Sequence, residues 1–324
     1  IAGKPLTSDD GFFGRDKIIK EVRKVLESGQ NNMVVLYGQR RIGKTSILHK
    51  LERSLPLKSF FPVYIDLMGK EQKSITEILY EIALTCATKA EIQFDDKNAF
   101  KSYDEFQKVF LPVLYKKIKP NTRLVFLFDE FDVLDSLQKK TPETASSPFL
   151  SFVRSLITNL PDICFVVVVG RRWGESEEFL ATFKSATQMP VFVLDEEDTI
   201  ALIKRGENRG LDFGKDAIEE ILQLTHGHPY LTQLLCSEIF NHVVLEDTSD
   251  VSVTPQVVSD AVPAALESGG TALQWIWSGL PFEVCFVFSA IAEGTEPGNI
   301  LTKEEIGKTL QDAGIQVFQK EYTN

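Results

Sequence analysis

Between Met33 and Ser54 the chain reads as an apolar run, a glycine-bounded loop and an amphipathic helix, and this succession constrains the fold more than any other feature. Met33-Val34-Val35-Leu36-Tyr37 is the kind of continuous apolar run that forms a strand covered on both faces. Gly38-Gln39-Arg40-Arg41-Ile42-Gly43-Lys44-Thr45 then fits G-x-x-x-x-G-K-[ST]. Glycines let such a loop turn its N–H groups inward onto an anion. From Thr45 to Ser54, Ile47, Leu48 and Leu51 fall on one helical face. Strand, glycine loop and helix N-terminus together build a phosphate site, with Lys44 expected at the β/γ-phosphates and the Thr45 hydroxyl on Mg²⁺. A turn with an incidental lysine explains the loop but not its flanks.

Apolar runs alternate with helical segments as far as residue 194, the signature of an α/β fold built on an open parallel sheet with helices on both faces. The expected strands are Met33–Tyr37, Pro62–Leu67, Leu124–Phe128, Ile163–Val169 and Val191–Leu194. Ile75, Ile78, Leu79, Ile82 and Ala83 mark one intervening helix, and Phe106, Val109, Phe110, Val113 and Leu114 another. Asp135 to Pro148 lacks apolar periodicity and reads as a loop beside the site. After residue 195 no further strands are expected. Glu196 to Leu245 and Pro255 to Leu266 read as helices of an all-α lid, and Ser268-Gly269-Gly270 as a joint. Beyond it, Leu280 to Ala292 is an apolar helix, and Thr302-Lys303-Glu304-Glu305 carries a helix-start signal before Ile306 and Leu310. The expected domains are 1–195, 196–268 and 269–324.

Composition sets the outer bounds. The chain of 324 residues is 43% hydrophobic and 25% charged, which suits a globular protein with a real core. Its net charge of −11 argues against a surface devoted to nucleic acid, though a local basic face stays possible. Cys86, Cys164, Cys236 and Cys285 are far apart, form no C-x-x-C pair and have apolar neighbours, which predicts reduced thiols in the cytoplasm. No apolar run has transmembrane length. The chain opens at Ile1 rather than Met, and we read it as a piece of a longer protein.

A second constellation faces the glycine loop. Arg123-Leu124-Val125-Phe126-Leu127-Phe128-Asp129-Glu130-Phe131-Asp132 is an apolar strand ending in carboxylates. Strand ends at the carboxyl edge of an α/β sheet converge on the ligand. Asp129 is therefore expected to hold Mg²⁺, and Glu130 to orient or deprotonate an attacking water. Asp132 is explained equally well as a helix N-terminal carboxylate. Ile163 to Val169 runs into Gly170-Arg171-Arg172, and either arginine is a candidate to reach the γ-phosphate, surface pairing with acids being the alternative for both. Phe12-Phe13-Gly14-Arg15 could flank a purine or staple the following helix. His226-Gly227-His228-Pro229-Tyr230 reads first as a corner between two helices.

Taken in order, Phe12-Phe13-Gly14-Arg15, Gly38–Ser46, Leu127-Phe128-Asp129-Glu130, Gly170-Arg171-Arg172 and Gly227-His228-Pro229 resemble the STAND class of P-loop NTPases. These are relatives of AAA+ proteins that act as signalling switches, and the motifs look like the prokaryotic archaeal-ATPase branch. The resemblance implies ATP or ADP with Mg²⁺, held by Gly38, Arg41, Ile42, Gly43, Lys44, Thr45 and Ser46, with Thr45 and Asp129 as metal ligands. It implies Pro229 packed on the adenine with His228 or Tyr230 nearby, and Phe12, Phe13 and Arg15 closing the other side. It further implies slow ATP hydrolysis through Glu130, Lys44 and Arg171 or Arg172, domain rearrangement, homo-oligomerisation on activation, and effector and sensor domains outside this segment. A winged helix follows the lid in that family; Leu280 to Gln319 looks like its beginning, and the wing is missing. Two alternatives remain open: a DNA-associated AAA+ ATPase of the origin-binding or transposition-helper type, and a non-hydrolysing, nucleotide-stabilised scaffold.

Overall fold

The computed structural model describes residues 5–7, 11–29, 32–70, 72–94, 102–118, 120–135, 146–170, 182–244, 251–294 and 301–315. The chain divides into two compact units, Ile1–Ala265 and Leu266–Asn324.

The first unit is organised by a five-stranded sheet in the order β2-β3-β4-β1-β5. The strands are β1 (Met33–Tyr37), β2 (Phe60–Asp66), β3 (Arg123–Asp129), β4 (Ile163–Val169) and β5 (Thr187–Pro190), all paired in parallel. Side chains alternate across a strand, so each strand feeds two cores. Val34 and Leu36 of β1, Val125 and Leu127 of β3, and Val166 and Val168 of β4 pack on α1 (Asp16–Ser28) and α2 (Lys44–Ser54). On the opposite face, Val35, Phe126, Phe128, Phe165 and Val167 pack on α3 (Ile75–Lys89). After the short, unburied α4 (Tyr103–Glu105), the same core takes in the π-helical turn Phe106–Phe110, α5 (Leu111–Lys117) and α6 (Ser146–Asn159). A parallel sheet covered by helices on both faces is the architecture the apolar runs predict.

Two local expectations need correcting. The fifth strand is Thr187–Pro190, not Val191–Leu194. Only Val191 stays with the sheet, its N–H donating to the Tyr37 carbonyl at 2.8 Å. Phe192 and Val193 are 69% and 45% exposed, and the Leu194 N–H turns to the Gly227 carbonyl at 2.9 Å. The true β5 is an edge strand with one neighbour, so it needs no continuous apolar run, and Pro190 is tolerated there. Most of the expected loop after Asp135 lies outside the described residues, while Ser146 to Pro148 already belong to α6.

After residue 195 the chain is mainly helical: α7 (Glu196–Lys204), a 3₁₀ turn (Arg205–Arg209), α8 (Lys215–Thr225), α9 (Pro229–Val244) and α10 (Pro255–Ser278). The sequence leads one to expect no strands here, but two are present. β6 (Leu211–Phe213) and β7 (Val251–Val253) pair in parallel, each too short for a period of two to show in the sequence. Gly269-Gly270 lies inside α10 rather than in a loop. Glycine weakens a helix by about 1 kcal/mol against alanine without breaking it. In the second unit, α11 (Phe282–Gly294) and α12 (Lys303–Asp312) occupy the expected positions. α12 opens with a complete capping box, the Thr302 hydroxyl accepting from the Glu305 N–H and the Glu305 carboxylate accepting from the Thr302 N–H. Among the described residues no helix is long and apolar enough to cross a membrane.

Candidate functional site

The glycine loop leaves the carboxyl end of β1 and runs directly into α2. A Cβ on Gly38 would lie 2.5 Å from the Val191 carbonyl oxygen, so only glycine fits there. Gly43 caps α2 in the left-handed conformation, and Lys44 opens the helix. Lys44 is only 8% exposed, and its ammonium donates to the carbonyls of Gly38 at 3.0 Å and Gln39 at 2.7 Å. Burial pulls its pKa down, while Glu130, Asp132 and Asp129 act in the opposite direction. The loop thus wraps a cation that faces three carboxylates.

Those carboxylates follow from the period of β3. Val125 and Leu127 face α2, so Asp129 does too. Asp129 is 3% exposed, and burial raises its pKa. Its Oδ1 accepts from the Glu130 N–H at 3.0 Å, its Oδ2 accepts from the Tyr64 hydroxyl at 3.0 Å, and the Thr45 hydroxyl bonds to the same carboxylate. Glu130 sits at φ 50°, a left-handed conformation that turns the chain out of the strand. Its pKa is raised by burial, then by Asp132 and Asp129, against Lys44 and Arg40. Asp132 has a more specific use than a helix N-terminal charge. Its Oδ2 accepts from the Gly170 N–H at 2.8 Å, tying the turn after β3 to the end of β4, and its Oδ1 is buried without a partner. Arg171 and Arg172, the candidates that follow Gly170, lie outside the described residues.

The helical corner is brought to the same loop. Gly227 approaches the chain so closely that a Cβ would lie 2.4 Å from the Leu194 carbonyl oxygen. Next to it the Arg41 guanidinium stacks over the Tyr230 ring at 4.7 Å. His228 is 6% exposed, Pro229 opens α9, and the His228 Nδ1 accepts from the Leu231 N–H at 3.4 Å. Burial pushes the His228 imidazole pKa down to about 4, against a weaker opposing effect of the Arg40 backbone, so the ring is neutral.

The N-terminal residues have different surroundings. Arg15 is buried beneath the loop: its Nη2 donates to the Ile42 carbonyl at 2.9 Å, and Asp198 and Asp195 at the start of α7 partly offset the desolvation that lowers its pKa. Phe12 and Phe13 are half-buried, and the Lys50 ammonium lies 5.7 Å from the centre of the Phe12 ring. The Ser46 hydroxyl accepts from the Leu6 N–H at 3.1 Å. Sequence reasoning missed Tyr64 and the histidine ring that packs against it, His49, with centroids 4.2 Å apart. Only the β2–β3 register places that phenol near Asp129, and no motif encodes a register.

Chemically, the donor set suits a polyphosphate with a hard cation. A buried ammonium and a helix N-terminus attract phosphate. The Thr45 hydroxyl and the Asp129 carboxylate, hydrogen-bonded to each other, are hard oxygen donors of the kind Mg²⁺ takes.

Residues 12–235 match the family described as an ATPase domain predominantly from Archaea. The chain belongs to this family. It is accordingly a P-loop ATPase domain of ATP-binding type. An uncharacterized ATP-binding protein of Methanocaldococcus jannaschii is 24% identical over 156 residues, which cover 44% of this ATPase domain chain and 41% of that protein's length. Among solved structures, the Walker-type ATPase of Pyrococcus abyssi matches with a TM-score of 0.69 at 18% identity, covering 98% of this chain and 89% of that one. The Aeropyrum pernix ORC2 protein, in ADPNP–ADP complexes, gives a TM-score of 0.60 at 13% identity over 99% and 88% of the two chains. The Aeropyrum pernix ORC1 protein in complex with DNA gives 0.52 at 15% identity over 96% and 81%. At these identities the likeness is one of fold.

Proposed function

We propose that this ATPase domain is a slow, Mg²⁺-dependent ATP-hydrolysing switch of the STAND type. The observation that carries the reading is convergence. Lys44, Thr45, Asp129 and Glu130 meet at the carboxyl ends of β1 and β3, and Tyr230 of the helical corner packs on Arg41 of the same loop. The Lys44 ammonium would exchange the Gly38 and Gln39 carbonyls for phosphate oxygens, and the α2 N-terminus would add its N–H groups. Thr45 and Asp129 would hold Mg²⁺, which when bound offsets charge on the β- and γ-phosphate oxygens. Glu130, made more basic by burial while Lys44 and Arg40 favour its ionised form, would accept the proton of a water attacking the γ-phosphoryl group in line. Arg171 or Arg172 would stabilise the same group. Phe12, Phe13, His228 and Pro229 would surround the base.

The division into a core up to residue 195, a helical lid to 268 and a partial winged helix belongs to this proposal. So does the coupling of nucleotide state to lid position and to homo-oligomerisation, with effector and sensor domains outside the segment. Two contacts support the coupling: Arg41 on Tyr230, and Arg15 between Ile42 and the acidic start of α7. The test is to denature purified protein and identify the released nucleotide by chromatography, beside Lys44→Ala. ATP or ADP in the wild type, absent from the variant, is the expected result. No nucleotide and no thermal shift with Mg·ATP would sink the reading.

The likeness of fold to ORC1 keeps a DNA-associated role as the second reading, against the net charge of −11. Salt-dependent binding to duplex DNA in the presence of ATP would favour it.

A further inference from the structure

We propose that Tyr64 is a positioning residue for the metal-binding carboxylate: its hydroxyl fixes the orientation of Asp129 before Mg²⁺ arrives. The inference rests on the nucleotide reading above and concerns a residue outside every motif.

Asp129 ends its strand inside the protein, where a carboxylate must have donors or lose its charge. Three groups supply them: the Glu130 N–H on Oδ1, the Tyr64 hydroxyl on Oδ2, and the Thr45 hydroxyl. The first two do different work. The Glu130 N–H is the next backbone group along, so it follows Asp129 wherever the chain goes. The Tyr64 hydroxyl comes from a neighbouring strand and therefore defines the carboxylate plane against an independent frame. Thr45 is the group that would itself turn to the cation, which leaves Tyr64 as the partner that stays.

The phenol is well anchored for this task. Tyr64 pairs with Leu127 in the β2–β3 ladder, so its side chain starts two residues before Asp129 on the α2 face and reaches forward along the strand. The His49 ring of α2 packs against it, tilted by 36°, with centroids 4.2 Å apart. The Glu52 carboxylate lies 4.0 Å from the His49 Nδ1 and 2.6 Å from the Lys89 ammonium. Partners of this kind, one bond removed from a metal ligand, change metal affinity by about 10–100-fold when lost.

The test compares wild type with Tyr64→Phe, which keeps the ring and its packing against His49 and removes one oxygen. ATP affinity is measured by calorimetry with EDTA and with Mg²⁺, and Mn²⁺ affinity of the ATP complex by electron paramagnetic resonance. The expected result is metal-free ATP affinity unchanged within about twofold, a Mn²⁺ affinity weaker by about tenfold or more, and a correspondingly smaller gain from Mg²⁺. His49→Ala, which frees the ring but keeps the hydroxyl, is expected to show a smaller loss of the same kind. Mn²⁺ affinity within twofold of wild type would overturn the role of Tyr64 and leave the nucleotide site standing. Equal losses with and without metal would overturn it in favour of a general packing role. A wild type that binds no ATP would overturn the nucleotide reading itself, and this inference with it.

Discussion

The two faces of β3 divide the labour of one strand. Phe126 and Phe128 point into an aromatic core, where Phe128 lies 5.6 Å from Phe131, 5.7 Å from Phe149 and 6.2 Å from Phe165. Val125, Leu127 and Asp129 point the other way, toward α2. The first face is apolar to its end and contributes cohesion. The second ends on a carboxylate that burial drives toward its neutral form, and the next residue, Glu130, stands in a left-handed conformation and is shifted the same way. Folding gains from both faces, but only the second, where Val125 and Leu127 lead to Asp129, carries the carboxylates of the proposed chemistry, at a cost to stability. A period of two lets seven residues do both.

Three substitutions can break or sharpen that contrast. Glu130→Gln should lower the rate of ATP hydrolysis by about 10²–10⁴-fold, the usual contribution of a positioned base. Its ATP affinity should stay within about threefold, since an interaction made only in the transition state has been removed. The melting temperature should not fall, because a neutral amide carries no charge to desolvate. Phe128→Ala should destabilise the fold by about 3–5 kcal/mol in denaturant unfolding. Its folded fraction should bind ATP as the wild type does; a loss of affinity larger than the loss of stability explains would mean that the faces are not separable. Glu130→Gly gives the smallest change in stability and the sharpest sign. At φ 50° glycine relieves backbone strain, so the variant should be more stable by roughly 1 kcal/mol while losing hydrolysis.

The same contrast explains what could be read in advance. β1 and β4 stand where the apolar runs Met33–Tyr37 and Ile163–Val169 place them, because central strands buried on both faces announce themselves. β5 did not, since an edge strand reading Thr-Gln-Met-Pro carries no such run, and of the more apolar Val191–Leu194 only Val191 stays on the sheet while Leu194 bonds to Gly227. The glycine loop and the Asp129-Glu130 pair were legible as motifs, and so was the Thr302 helix start, because each is local. Tyr64 and the tie from Asp132 to Gly170 were not. Both depend on which strand lies beside which, and that order is a property of the folded sheet.

The short segment between β5 and α7 has a mechanical consequence. Val191 presses its carbonyl on Gly38 while its N–H holds Tyr37, and three residues later Leu194 is gripped in the same two ways by Gly227. Four residues span at most roughly 14 Å, and neither end has clearance for a methyl group. A strip so short and so tightly seated behaves as a tie rod without backlash. A few tenths of an ångström of travel at the glycine loop would arrive at the helical corner as travel rather than be lost as play, since packed interiors transmit strain.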